Sequence, residues 1–134
     1  MLTELSYIIT VVGVVGCICL TVAYSFQTYK VFQSKRTDGL SFSFLILVSV
    51  ACFLFGVYGA LQIGLSPTII VGIQNGLAIM ISNFIASLLS VVMLVYKIIN
   101  YNKAKKHQLS EKAYYEQMVA PFLNQQTKQN EGNK

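Results

Sequence analysis

The sequence predicts an all-α membrane protein with three transmembrane helices. Between Gly39 and Tyr96 no side chain carries a charge, whereas about a quarter of the residues in a soluble domain are charged. Over all 134 residues, 54% are hydrophobic and only 11% are charged. A chain of this length cannot hide so long an apolar run in a water-soluble core, so we predict that lipid surrounds it.

A helix needs about 20 mostly apolar residues to cross a bilayer, and three segments provide them. We place the spans at residues 7–29, 42–63 and 77–100. A cleaved signal peptide begins with basic residues and has a shorter apolar stretch. The first span lacks the basic start and stays apolar for longer. It is therefore predicted to be a permanent span.

The start of the third span depends on two turn signals. Pro67 disfavours a helix interior, and the pair Asn75-Gly76 is typical of a turn. We therefore start the third span at Leu77 and predict a short re-entrant or interfacial piece over residues 67–73. The alternative is one long tilted helix that begins at Pro67.

The basic residues predict the orientation. The N-terminus and the second loop have no Lys or Arg, whereas the first loop and the start of the tail are basic through Lys30, Lys35, Arg36, Lys97, Lys103, Lys105 and Lys106. The positive-inside rule then predicts a multi-pass protein of the cell membrane, with its N-terminus outside and its C-terminus cytoplasmic. Because the basic residues lie beside the apolar segments, we attribute the net charge of +5 to contacts with the lipid bilayer. We expect the bilayer, and not nucleic acid, to be the partner.

The chain divides into a transmembrane domain, residues 1–100, and a tail, residues 101–134. Ser110 is predicted to start a short helix that runs to about Val119, before Pro121. From Gln125 onward the polar composition predicts disorder. A plain cytoplasmic tail is favoured over an interfacial anchor formed by Tyr114, Tyr115 and Met118.

The residue types that carry enzyme chemistry are not arranged for it. The sequence has no nucleophile–base pair, carboxylate pair or phosphate-binding loop, so we expect no enzyme activity. Cys17, Cys19 and Cys52 lie inside spans without metal-site spacing, so no metal or cofactor is expected. The absence of Asp and Glu from the spans argues against a proton relay.

Each span carries small or weakly polar residues at helical spacing, which predicts faces that pack against protein. These stripes are Gly13, Cys17, Thr21 and Ser25; Ser49, Cys52, Gly56 and Ala60; and Ser82, Ala86 and Ser90. Bundle packing accounts for most of these positions. Because three helices alone make a poor conduit, polar groups in their interior predict an oligomer, most simply a symmetric dimer.

Amides inside spans indicate a polar interior. An amide that faced lipid would lose several hydrogen bonds, so Asn83 should face a partner helix or a wet cavity. Ser87 lies one turn further on the same face. Gln27 lies near the end of the first span. An uncharged cavity of this kind suits an uncharged, hydroxyl-rich ligand better than an ion.

Three motifs resemble a known family. The run Gln27 to Ser41, QTYKVFQSKRTDGLS, resembles the first-loop signature of the PQ-loop superfamily, in which Pro-Gln and a basic stretch precede Thr-(Asp/Glu)-Gly-(Ile/Leu)-Ser. The segment Phe55 to Gly59 is similar to the family's Trp-x-x-Tyr-Gly, and Ser82-Asn83 is similar to its third-helix Ala-Asn. Together, over roughly residues 7–100, they resemble the bacterial SemiSWEETs.

The resemblance implies a half-transporter bundle that functions as a parallel homodimer. It implies facilitative uniport of a mono- or disaccharide by alternating access. The sugar would be bound by Asn83 and Phe55, with Ser87 on the same face as Asn83. The gate would be Tyr58 and Gln62, and the PQ-motif hinge would be Phe26 and Gln27.

The chain departs from the family pattern in three places. Phe26 replaces the proline of the hinge, and Phe55 replaces a tryptophan, so it can stack on a sugar but cannot donate a hydrogen bond. The longer segment before the third span makes Asn75 a rival of Asn83 as the ligand. The alternatives are a PQ-loop carrier of an amino acid or another small metabolite, and a small membrane protein that does not transport.

Overall fold

A computed structural model describes the backbone of residues 2–131 and the side chains of residue 8 and residues 10–125. The elements, in chain order, are α1 (Leu2–Ser34), α2 (Phe42–Leu65), α3 (Ile69–Lys106), α4 (Glu111–Tyr114), a π-helical segment (Tyr115–Val119) and α5 (Ala120–Glu131). The first three helices are long and apolar enough to cross a membrane. The predicted all-α class, with three helices long and apolar enough to cross a membrane, is therefore confirmed.

Helix α3 is the centre of the bundle. It packs against α2 on one side and α1 on the other, whereas α1 and α2 do not pack along each other over the described residues. Its 38 residues correspond to roughly 57 Å of helix, far more than the ~30 Å hydrocarbon thickness of a bilayer. Consequently α3 extends beyond the hydrocarbon region of a bilayer.

Glycines let α2 and α3 approach until their backbones touch. A Cβ atom added to Gly59 would lie 2.6 Å from the backbone nitrogen of Met80, and one added to Gly76 would clash with the carbonyl oxygen of Gly59. A Cβ on Gly56 would meet the ring of Phe84 at 2.8 Å. Only glycine fits this crossing, as expected where close packing rather than water exclusion holds helices together.

Below the glycine crossing, three serines connect the same two helices. The hydroxyls of Ser49 and Ser90 are 2.7 Å apart, and the Ser87 hydroxyl donates to the Ser49 carbonyl oxygen at 3.0 Å. All three residues are buried. The predicted protein-facing stripes of α2 and α3 are therefore confirmed, apart from Ala60, which is only half-buried.

The small-residue stripe of α1 is only partly covered within one chain. Cys17 and Thr21 are half-buried, but Gly13 and Ser25 are exposed, and nothing lies within 4 Å of a Cβ added to Gly13. This part of the α1 surface therefore remains open in the single chain.

The predicted start of the third helix at Leu77 is wrong. Helix α3 begins at Ile69, where the Thr68 hydroxyl caps it by accepting from the Val71 N–H at 3.4 Å. There is accordingly no re-entrant piece over residues 67–73, and the alternative of one long helix is the closer description. The Asn75-Gly76 pair does not form a turn. Gly76 lies within α3, where it allows the close approach of α2 at Gly59.

The tail is more helical than the sequence predicts. Ser110 caps the tail helix as predicted, accepting from the Ala113 N–H at 3.2 Å. Disorder from Gln125 onward is wrong for residues 125–131, which continue α5, and residues 132–134 lie outside the described part. The helix passes Pro121 by widening into the π-helical segment, in which the Ala120 N–H bonds to the Tyr115 carbonyl. A widened turn lessens the clash that a helical proline normally causes.

Candidate functional site

A pocket of about 220 Å³ opens between the three long helices at the end of the bundle near the second loop, residues 66–68. We call it the amide pocket, because three amides and two hydroxyls lie among the nine lining residues that belong to the described part of the chain, and none of these nine is charged. They are Thr10, Gly13, Val14, Tyr58, Gln62, Gln74, Asn75, Ala78 and Ile79. Such a lining can donate and accept hydrogen bonds but offers no ion pair.

The two predicted gate residues lie together at this pocket. Tyr58 and Gln62 are one turn apart on α2, and the Gln62 Nε2 donates to the Tyr58 hydroxyl at 2.6 Å. The Gln62 carbonyl also accepts the hydroxyl of Ser66, which ends the helix, at 2.5 Å. Tyr58 is 49% exposed, so its ring can still move without disturbing the packed interior.

The predicted ligand Asn83 lies one turn beyond the floor of the pocket. Its neighbour along the helix, Ile79, lines the pocket, whereas Asn83 is only 9% exposed and is not among the lining residues. The Asn83 Nδ2 donates to the Ile79 carbonyl at 2.9 Å. Within the described part of the chain, its Oδ1 receives no hydrogen bond. The rival Asn75, in contrast, is exposed and lines the pocket directly.

The other two predicted binding residues lie elsewhere. Phe55 is 59% exposed and lines a shallow apolar groove on α2 with Ala51, Leu54 and Tyr58. Ser87 is buried, with its hydroxyl hydrogen-bonded to α2. One chain therefore does not bring Phe55, Asn83 and Ser87 into a common pocket. Tyr58 alone lines both the amide pocket and the Phe55 groove.

At the predicted hinge, α1 runs unbroken through Phe26 and Gln27. Phe26 is 71% exposed. Gln27 lines a second pocket, of about 420 Å³, together with Lys30, Ser34 and residues of the first loop. Continuity of the helix follows from the sequence, because Phe26 keeps the backbone N–H that a proline would lack.

At the opposite end of the bundle lies a buried cluster that the sequence did not reveal. Lys97 is only 4% exposed. Its Nζ donates to the Thr37 carbonyl at 3.1 Å and to both carboxylate oxygens of Glu111, at 3.1 and 2.8 Å. It also lies 4.8 Å from the centre of the Phe42 ring. We call Lys97, Thr37, Glu111 and Phe42 the loop–tail cluster.

The first loop, residues 35–41, is held to α3 by further contacts beside this cluster. The Asn100 Nδ2 donates to the Lys35 carbonyl and to the Thr37 hydroxyl, both at 2.9 Å. The Lys35 backbone adopts a positive φ of 55°, and its Nζ donates to the Tyr96 hydroxyl at 3.3 Å. The sequence predicted Lys35 and Lys97 only as topology signals, because no spacing rule connects them to their partners.

The first loop also carries an exposed ion pair. The Arg36 guanidinium bonds both carboxylate oxygens of Asp38, at 2.7 and 3.0 Å. This hydrogen bonding, supported by the Arg36 charge, holds the pKa of the Asp38 carboxyl below its ordinary value. The same guanidinium lies 5.5 Å from the centre of the Tyr115 ring in the tail.

The fold and the amide pocket thus describe a three-helix membrane protein with an uncharged polar pocket at one end. Residues 8–68, from α1 through the second loop, match the protein family described as PQ loop repeat. These residues are therefore similar to a PQ-loop repeat. The match ends before α3, so both candidate ligand asparagines lie outside it.

The chain also has a relative in a bacterium. It is 29% identical over 139 aligned residues to the uncharacterized protein UU007 of Ureaplasma parvum serovar 3, and the alignment covers 89% of this chain and 75% of the relative. No solved structure matches the chain.

Proposed function

We propose that the protein is a PQ-loop carrier that moves a small uncharged polar solute across the cell membrane by alternating access. The observation that carries this proposal is the amide pocket, an uncharged polar site whose α1 and α2 walls lie within the PQ-loop repeat. A small membrane protein with a purely structural role has no need to keep three amides around one opening near lipid.

The solute class we propose is a mono- or disaccharide. Sugar hydroxyls each donate and accept a hydrogen bond, and the amides of Gln62, Gln74 and Asn75 match that requirement. An ion would find no opposite charge among the lining residues that the structure describes. A PQ-loop carrier of an amino acid or another small metabolite is the second candidate, since amides also bind zwitterions.

We assign the solute path to α3. Asn75 would meet the solute at the mouth of the pocket, and Asn83 would bind it about two turns deeper through its free Oδ1. Tyr58 and Gln62 would form the gate above them. With the N-terminus outside, this mouth is the extracellular end, and the loop–tail cluster closes the cytoplasmic end.

A parallel homodimer would complete the site. The Phe55 ring and the α1 surface at Gly13 are exposed in one chain, and a second copy related by a two-fold axis would cover such faces in the same way on both protomers. The dimer would also bring two copies of Asn83 to one path.

Cross-linking in native membranes tests the dimer. A single cysteine at Phe55, in a chain whose Cys17, Cys19 and Cys52 are replaced by Ala, should form a disulfide-linked dimer on mild oxidation. The matched control is a single cysteine at Leu88, which is 64% exposed on α3. Monomer alone at position 55, or equal cross-linking at both positions, would contradict a dimer built on the Phe55 groove.

Uptake into liposomes tests the function. Purified protein should admit at least one member of a labelled panel of mono- and disaccharides, with amino acids as the second arm and protein-free liposomes as the control. Saturable uptake of an amino acid but no sugar would transfer the proposal to the second candidate. If no panel member enters faster than it enters protein-free liposomes, the transport proposal fails.

A further inference from the structure

The tail folds back beneath the bundle instead of leaving it. After α3 the chain turns at His107 to Leu109, where Gln108 has a positive φ of 56° and the Leu109 N–H bonds to the Ala104 carbonyl at 3.0 Å. This turn returns Glu111 to Lys97, which lies nearly three turns earlier on α3. Ala104, under the turn, is only 1% exposed.

The Lys97 ammonium joins three parts of the protein at one buried point. It bonds the first loop through the Thr37 carbonyl and the tail through the Glu111 carboxylate, and it lies against the Phe42 ring at the start of α2. A buried charge is tolerated only when it is paired and hydrogen-bonded. Removing one partner of such a pair is strongly unfavourable, because the remaining charge stays buried without compensation.

The partners of Lys97 differ in how they are attached to the bundle. Thr37 and Phe42 belong to the segment that connects α1 to α2, and Asn100 holds the same loop to α3. Glu111 belongs to the tail, which follows the last long helix and, unlike the first loop, does not connect two of the long helices. Among these partners, only Glu111 can therefore leave while the three long helices stay assembled.

We propose that Glu111 is a latch residue, which keeps the first-loop end of the bundle closed by neutralising Lys97, and that release of the tail permits this end to open. When Glu111 leaves, the ammonium keeps one hydrogen bond and must reach water to recover its solvation. The loop at Thr37 has to move for water to enter. This inference rests on the proposed carrier function, since it assigns the latch to one gate of that carrier.

A second contact supports the same latch. The Arg36 guanidinium, paired with Asp38, lies 5.5 Å from the centre of the Tyr115 ring, which is within the range of a cation–π contact. Tyr115 begins the π-helical segment. The tail is thus held at two places, to α3 through Glu111 at the start of α4 and to the first loop through Tyr115 directly after α4.

Hydrogen exchange tests the latch without any transport measurement. The full-length protein is placed in lipid nanodiscs, and exchange of the first-loop peptide, residues 35–41, is followed by mass spectrometry. Glu111→Gln keeps the shape of the side chain and removes its charge. Hydrogen bonds between charged groups are the strong ones, so the loop should exchange about tenfold faster or more.

Glu116→Gln is the matched control, because it removes the same charge from an exposed residue of the same tail. It should leave loop exchange unchanged. Both variants should elute as the wild type does on size-exclusion chromatography, since neither alters the packing of α2 on α3. Loop exchange that is unchanged in Glu111→Gln, or raised equally in both variants, would overturn the latch.

Solute uptake gives the second readout. In liposomes, Glu111→Gln should change the turnover of the transported solute at least about twofold, whereas Glu116→Gln should not. Faster loop exchange with unchanged turnover would overturn the gating role. If the wild type moves no solute but Glu111→Gln still frees the loop, the carrier function fails while the latch itself stands.

Discussion

At the scale of single residues, Asn75 and Asn83 lie on the same helix, roughly 12 Å apart along its axis, in different surroundings. Asn75 faces an open pocket, whereas Asn83 is buried and bonds the Ile79 carbonyl of its own helix. The sequence favoured Asn83, because amides are rare in lipid-facing positions, and indicated Asn75 as a rival because the segment before the third span is long. It could not predict their burial, which depends on how α1 and α2 pack around α3.

Asn83→Leu should abolish uptake while leaving expression and melting temperature close to the wild-type values. A hydrogen bond contributes roughly 0.5–1.5 kcal/mol net, so losing several across a dimer should weaken solute binding about tenfold or more. An Asn83 that only stabilises the bundle would instead lower the melting temperature. Inactivity of Asn75→Ala with an active Asn83→Leu would move the ligand role to Asn75, and measuring uptake and melting of both variants decides between them.

The ion pair of Asp38 with Arg36 should make the free energy of unfolding depend on pH only in the acidic range. Because Arg36 lowers the pKa of the folded carboxyl, the pair stabilises the fold above the unfolded pKa of about 3.8. That contribution is lost as the pH falls through the lower folded pKa. The effect should be small, since the Arg36 side chain is 53% exposed. Asp38→Asn should melt slightly below the wild type at pH 7, and the difference should vanish in strong acid.

At the scale of elements, the three helices could be predicted from the long apolar, charge-free run. In lipid the backbone N–H and C=O groups of such a run must bond to each other, and a helix achieves this. The prediction misplaced the start of α3, because Asn75-Gly76 is a turn signal locally while the contact of Gly76 with Gly59 is made across two helices. In the tail, the prediction of disorder from Gln125 was wrong for residues 125–131, which continue α5. The contacts of Glu111 with Lys97 and of Tyr115 with Arg36 could not be predicted, because only the folded bundle brings these residues close.

Gly59→Leu should disrupt the packing of α2 on α3. Any Cβ at this position meets backbone atoms, which cannot move aside as a flexible side chain can. Overpacking a well-packed core typically costs about 1–3 kcal/mol, occasionally more, so the melting temperature should fall sharply or the protein should fail to assemble. Gly64→Leu is the control, because nothing lies within 4 Å of a Cβ added there. Equal melting of both variants would contradict a glycine-dependent crossing.

At the scale of the whole molecule, the charges are divided between the ends and the interior. The amide pocket is uncharged, and the first-loop end contains the paired charges of Lys97, Glu111, Arg36 and Asp38. An alternating-access carrier opens at one end to the outside and at the other end to the inside. In this protein the polar groups at the two ends differ in charge. The amide-pocket end carries a neutral hydrogen bond between Gln62 and Tyr58, and the first-loop end carries the buried ion pair of Lys97 with Glu111.

This division predicts that uptake requires no ion gradient. Moving one charge through the membrane field changes the energy by about 2.3 kcal/mol per 100 mV, and no residue from Gly39 to Tyr96 carries a charge to couple to that field. Solute should therefore enter liposomes down its own gradient at the same initial rate with or without a proton or sodium gradient. Adding a protonophore or clamping the membrane potential should leave the rate unchanged. Uptake that ceases when the proton or sodium gradient is removed would contradict uniport and would require a coupling ion bound by the neutral amides and hydroxyls of the pocket.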